Sequence, residues 1–308
     1  MYTTILNFHN EGALGIVQLA TADQDTFQYI SSTAAIKENL IAVKEVSAAG
    51  SVNSIFIVNH SSSFVFLMDG DILHGAKQNR VLNTSILLAP ESKTVVPVSC
   101  VEQGRWRSRS ARFSMGDYTA PSFIRAGKAR KVKESLERKE GYRADQGEVW
   151  DGVTFFQMAS DVHSKTSNLS DVYDHKEVEM EAFIRAFAAD PQANGMGMFI
   201  GHDLLSLDIF NRKDIYEEYF ARLLRGVALE AFYLHKPGKP VGKAEAGFKV
   251  LDFIDRFEDL EKSRHPGVGV GHEYRFDSGG RTGFELRYDN HLIHLTALAT
   301  GTTRGMAA

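Results

Sequence analysis

Between residues 40 and 101 the chain repeats one pattern five times: a short run of Val, Ile, Leu and Phe, then a break of turn-forming residues. The runs cover 40–46, 54–59, 64–68, 81–89 and 94–101. They are too short, and too rich in β-branched and aromatic residues, to read as helices, so each is predicted to be a strand. Gly50, the serines 61–63 and the Pro90-Glu91-Ser92 triplet supply the breaks. Several runs are continuously apolar instead of alternating, as strands are when both of their faces are covered. The expectation for residues 1–115 is an antiparallel β-sandwich or jelly-roll-like unit.

The pattern changes at Gly104. Residues 104–143 hold twelve Lys or Arg against four Asp or Glu, a local balance of +8 in a chain whose net charge is −4. Within this stretch 121–140 is rich in helix formers and predicts a surface helix. Residues 148–160 predict a helix that is apolar nearly all round and therefore buried. Asp214 with Glu217 has the spacing of a capping box, followed by Ile215, Tyr219, Leu223, Val227 and Phe232 at near-helical intervals. A further helix is predicted over 244–262, with Val250, Phe253, Ile254, Phe257 and Leu260 on one stripe. The chain then returns to β, with runs at 273–277, 284–288 and 292–298 separated by Gly279-Gly280 and Asp289-Asn290, a meander. The predicted class is α+β: a β-rich unit over 1–115, and a helical region plus β-meander over 116–300. These two form either separate units or one continuous domain. The small and polar residues 301–308 predict a frayed tail.

Composition narrows the setting. The single cysteine, Cys100, rules out an intrachain disulfide and any zinc site built on two thiolates. It fits a reducing compartment, and the start of the chain lacks the basic and apolar segments of a secretion signal, so the expected location is cytoplasmic. No stretch approaches the roughly 18 apolar residues of a membrane span, and a membrane partner is not expected. The formal charge of −4 argues against binding polyanions through bulk charge, and a homo-oligomer is compatible with the composition.

Against this background the segment 71–80 stands out. Asp71, His74, Lys77, Gln78, Asn79 and Arg80 crowd between two apolar strands, with Gly70 and Gly75 allowing unusual backbone shapes. Polar groups held against a core need partners, so the segment is either an internal hydrogen-bond network or a ligand site. As a site it offers Arg80 and Lys77 for phosphate, and Gln78 and Asn79 for a sugar or base. Downstream, Glu102 ends a strand, and Arg105 with Trp106 follows Gly104; an indole beside guanidinium groups suits stacking on a ring. Asp71, His74 and Glu102 are the candidates for acid or base work if a ligand is turned over.

Other features carry less. Cys100 lies among Val96, Val98 and Val101, as an inert core cysteine does. His291 and His294 stand three apart on a predicted strand and so face opposite sides, which does not favour one metal between them. His202-Asp203 is a loose ligand pair, and 267–271 (GVGVG) lacks the Lys-Ser/Thr of a phosphate loop. No metal and no cofactor are expected.

The segments GDILHGAKQNRVLNTSILLAP (70–90) and PVSCVEQGRW (97–106), in that order, resemble a bacterial family named for its association with ADP-ribosylglycohydrolases and rhodanese-phosphatase proteins. Weaker similarity runs on to about residue 299. The resemblance transfers no catalytic residues. It implies a link to ADP-ribose or related NAD-derived nucleotides, by association only. The leading expectation is therefore binding or processing of a phosphorylated nucleotide-type ligand. Two others stand beside it. One is a non-catalytic interaction protein that docks an acidic protein or nucleic acid, RNA included, through the basic 105–143 segment. The other is a hydrolase using Asp71, His74 and Glu102.

Overall fold

The first strands of the chain share one sheet with its last. A computed structural model describes residues 1–47, 50–108, 110, 112–233 and 239–300. The tail expected to fray, 301–308, lies outside the described residues. In chain order the strands are β1 (Thr3–Glu11), β2 (Leu14–Thr21), β3 (Ile30–Ser31), β4 (Ile41–Glu45), β5 (Ser54–Asn59), β6 (Val65–Leu67), β7 (Asp71–Gly75), β8 (Arg80–Leu82), β9 (Ile86–Leu88), β10 (Lys93–Cys100), β11 (Phe113–Thr119), β12 (Gly195–Ile200), β13 (Asp203–Phe210), β14 (Ser263–Pro266), β15 (His272–Ser278), β16 (Arg281–Tyr288) and β17 (His291–Ala299). The helices are α1 (Ser32–Lys37), α2 (Ser122–Glu137), α3 (Gln146–Ser160), α4 (Leu169–His175), α5 (Glu177–Ile184), α6 (Lys213–Tyr233) and α7 (Lys243–Phe257).

These strands form three sheets. An eight-stranded sheet has the order β1-β2-β12-β13-β17-β16-β15-β14, all antiparallel, with the predicted meander as its second half. A six-stranded sheet runs β11-β7-β8-β10-β5-β4, and a three-stranded sheet runs β3-β6-β9. The only parallel pair among the named strands is β3 with β6. Residues of the six- and three-stranded sheets, among them Ile55, Ile57, Leu73, Leu82, Val65, Leu67, Ile86 and Leu88, share one apolar core. That is the sandwich layering expected of continuously apolar strands. Residues 3–21 stand outside it, in the eight-stranded sheet.

Both faces of the eight-stranded sheet are covered. Ala246, Val250, Ile254 and Phe257 of α7 pack with Val17, Leu19, Leu207 and Ile209 on one face. The other face packs Ile16, Met196, Met198 and Leu286 with Tyr216, Tyr219, Leu223 and Val227 of α6. Two-sided burial is why β12 (GMGMFI) carries no polar side chain.

Several expectations change. The run 81–89 is two strands, because Asn83, Thr84 and Ser85 turn the chain from one sheet into another. Helix α2 is not a surface helix. Ile124, Arg125, Lys128, Ala129, Val132 and Ser135 are buried, and charge alone had placed two of these in solvent. Helix α3 is buried on one side only, and Met158 is exposed. Asp214 lies inside the first turn of α6, bonded to the Arg212 guanidinium (2.8 Å), so no capping box forms. The helix expected to reach 262 stops at Phe257, and Ser263–Pro266 becomes an edge strand.

Candidate functional site

The segment 71–80 is a hairpin, β7 paired with β8 through Ile72↔Val81 and Leu73↔Arg80. Successive side chains on a strand point to opposite faces, and the hairpin sends its polar residues to different neighbours. Asp71 is fully buried and turns toward α6. It accepts from the Met68 amide (2.9 Å), the Tyr219 hydroxyl (2.9 Å) and the Arg222 guanidinium (2.8 Å). Burial raises its carboxyl above the ordinary range, against the pull of Arg222. His74 is half-buried, edge-on to Tyr118 with centroids 5.6 Å apart, and 3.5 Å from the Ser170 hydroxyl. Burial lowers its pKa, so the imidazole is neutral at pH 7.

The turn of the hairpin meets the loop after β10. The Asn79 amide donates to Glu102 Oε2 (3.2 Å), and Asn79 Nδ2 donates to Asn168 Oδ1 and Ser170 Oγ. Arg105 grips Glu102 with two bonds, Nε to Oε1 (2.8 Å) and Nη2 to Oε2 (2.6 Å), and donates to the Ala76 carbonyl (2.7 Å). Burial pushes the Glu102 carboxyl up, but the donors from Arg105, Asn79 and Thr166 outweigh it and hold it below the usual range. Arg80 is fully buried, bonded to Gln78 Oε1 (3.0 Å), the Ser51 carbonyl (3.0 Å) and Cys100 Sγ. Burial pushes the Cys100 thiol up to about 11, so it is not a thiolate nucleophile at neutral pH.

Trp106 closes this group on the outside and is 45% exposed. The Lys77 ammonium and the Arg80 guanidinium each lie 5.4 Å from its ring centroid. Gly50, at φ +78°, lets the 50–52 backbone approach, since a Cβ there would sit 3.0 Å from Lys77 Cδ and 3.3 Å from Trp106 Cζ2. The hairpin thus gathers Lys77, Gln78, Asn79 and Arg80 with Glu102, Arg105 and Trp106, and separates Asp71 from them.

The remaining sequence candidates lie elsewhere. His294 is fully buried, whereas His291 is part-exposed beside Thr26. His202 is exposed against Glu245 (3.0 Å). Among the described residues no group of His, Cys, Asp or Glu converges as metal ligands would. In the basic stretch, Lys128 is buried, Arg130 and Lys131 meet Glu148 and Glu134, Lys133 meets Glu137, and Arg138 meets Glu140. Much of its positive charge is therefore compensated locally.

Sequence reasoning missed a buried cluster of charged residues, where α2 meets strands of two sheets. Arg125 bonds Asp208 through both terminal nitrogens (3.2 and 2.7 Å) and Asp69 through Nε (3.2 Å). Lys128 bonds Asp69 Oδ1 (2.8 Å) and the Leu82 carbonyl. Arg275 bonds Glu273 (2.8 Å) and the Thr84 hydroxyl (2.8 Å). Three carboxylates face three cations, which is how buried charge is tolerated. The signals were a basic pair one turn apart on α2, and Glu273 with Arg275 on one face of a strand.

The hub also contains a Ser85–His294–Asp208 series. Ser85 Oγ lies 2.9 Å from His294 Nδ1, and His294 Nε2 lies 3.3 Å from Asp208 Oδ1. The residue types match a nucleophilic triad, but all three are fully buried. Asp208 is claimed by Arg125, and burial lowers the His294 pKa. A neighbouring guanidinium opposes the imidazolium that a general base must become, so the series is structural.

Glu230 of α6 titrates in a measurable window. It accepts from the Ser122 hydroxyl (2.9 Å) and the Phe123 amide (3.2 Å), and burial pushes its carboxyl from 4.5 up to about 7. A raised folded-state pKa means that its stabilising contribution is complete below the unfolded value and is lost as pH rises through 7. The loss amounts to about 3 kcal/mol. Glu230→Gln cannot ionise, so its stability relative to the parent should grow by about 2–3 kcal/mol between pH 5 and 8.5 in denaturant titrations. A difference that stays constant over that range would refute the assignment.

Fold and site together define a mixed α+β protein with antiparallel sheets, joined by buried ion pairs and carrying a cation-flanked indole at one hairpin. No helix among the described residues is long and apolar enough to cross a membrane. The chain belongs to the ARG and Rhodanese-Phosphatase-superfamily-associated Protein domain family, whose profile matches residues 3–298. No curated protein and no solved structure matches it.

Proposed function

We propose that the protein binds a phosphorylated nucleotide-type ligand, ADP-ribose or another NAD-derived compound, on the surface around Trp106. The observation that carries this reading is the exposed indole flanked by two cations. A base stacks on the ring, as aromatic platforms hold bases without reading their sequence. The Lys77 ammonium supplies the charge for phosphate. Arg80 is turned inward and acts by holding Gln78 and the Ser51 carbonyl in place. The family's association with ADP-ribosylglycohydrolases is consistent with such a ligand. Binding without turnover is the favoured form. Asp71 and Glu102 are each tied to an arginine, and His74 approaches Ser170 and Tyr118.

Calorimetric titration with ADP-ribose tests the proposal. Trp106→Ala should weaken binding at least about tenfold, from the ~1–3 kcal/mol that stacking on an aromatic contributes per base, while the melting midpoint stays near that of the parent. Trp106→Phe should keep most of the affinity. Equal affinity in the parent and the alanine variant would end the assignment.

A further inference from the structure

A cavity of about 590 Å³ opens between α2 and α3, and none of the residues gathered around Trp106 lines it. Its apolar wall includes Phe123 and Phe155, with centroids 6.4 Å apart, and Ile124 and Val149 behind them. The size and lining are those of small-molecule sites. Two helix glycines border it, for different reasons. At Gly152 a Cβ would sit 2.9 Å from Ile124 Cγ1, so packing of the two helices requires glycine there. At Gly127 a Cβ would meet nothing closer than Glu148 Oε2 at 3.7 Å. Glycine in the middle of a helix is disfavoured relative to alanine, and no neighbour at 127 demands it. What the missing side chain leaves is open space in the cavity.

Charge on the rim gives the sign of the occupant. Arg130 and Glu148 compensate each other, and Lys128 turns its ammonium inward to Asp69. The side chains of Asp151 and Asp277, both exposed and lining the cavity, make no hydrogen bond or ion pair among the described residues. The uncompensated charge is negative and stands beside an aromatic wall, which favours a cation. We propose that this cavity is a second ligand site, for a small organic cation with an aromatic body.

Three indole probes of similar shape test this on the full chain: tryptamine (cationic), tryptophol (neutral) and indole-3-propionate (anionic). Calorimetry should give tryptamine the highest affinity, with tryptophol about tenfold weaker and the propionate not bound. Asp151→Asn with Asp277→Asn should remove the preference for tryptamine over tryptophol. Both residues are exposed, so this variant should fold as the parent does. Gly127→Leu should abolish binding of both, and Gly127→Ala should raise the melting midpoint by about 1–3 °C. Equal binding of tryptamine and tryptophol by the parent would overturn the cation assignment. Undiminished tryptamine binding by Gly127→Leu, or no binding by the parent, would overturn the site.

Discussion

Arg125→Met should lower the unfolding free energy by about 3–5 kcal/mol, the usual cost of leaving a buried charge without its partner. The substitution keeps bulk on α2 but strips donors from both Asp69 and Asp208, each fully buried. In thermal melts the midpoint should fall by about 10 °C. The partner variant separates charge from packing. Adding Asp208→Asn to Arg125→Met removes one stranded carboxylate and leaves Asp69 paired with Lys128. The double variant should therefore recover at least about 1 kcal/mol relative to the sum of the two single losses. Strict additivity would mean that the Arg125–Asp208 pair contributes no coupling. His294 should also respond. Without Arg125 beside it, the imidazolium is favoured by Asp208, and the folded-state pKa of His294 rises. A raised value adds stability below the unfolded pKa and loses it as pH climbs, so Arg125→Met should be less damaging near pH 5 than at pH 8.

Gly70→Ala should cost about 2–5 kcal/mol, from a disfavoured backbone and an overfilled core together. Gly70 sits at φ +85°, and a Cβ there would lie 2.8 Å from Arg125 Cδ and 2.9 Å from Cγ. Arg125 cannot retreat, because carboxylates on both sides hold its guanidinium. The same glycine donates to the Leu82 carbonyl and accepts from the Ala120 amide, so its backbone cannot shift cheaply. In an Arg125→Met background the side-chain clash is with a flexible methionine, and Gly70→Ala should cost visibly less. An unchanged cost in that background would place the whole penalty in the backbone and remove Arg125 from the explanation.

The two variants explain why the 70–90 segment could be read only in part from the sequence. Its apolar flanks correctly indicated that polar residues were held against the core. They did not say which residues share a neighbourhood. Asp71 finds its partners at Tyr219 and Arg222, and Asn79 finds Asn168 and Ser170. Such separations leave no mark at the hairpin itself. Arg80 was legible as a cation suited to phosphate, but its complete burial depends on Ser51 and Cys100 arriving from other strands. The role read for Arg80 passes, in the proposed site, to Lys77 and the exposed Trp106 ring.

Element identity was largely set locally. Strands near 41–45, 54–59 and 93–100, the closing meander, and helices α2, α3, α6 and α7 all follow from apolar period, branching and turn residues. These are properties of a few neighbouring side chains, so the sequence by itself determines them. Sheet membership was decided by tertiary structure. Strand β2 lies between β1 and β12 in the sheet that holds β17, because pairing joins segments far apart in the chain, such as Leu14 with Ile200, and depends on which faces each can bury. The polarity of α2 was decided the same way. Arg125 and Lys128 look like surface residues until Asp69 and Asp208 are brought to them, and only the assembled fold supplies the opposite charges that let a guanidinium and an ammonium leave water.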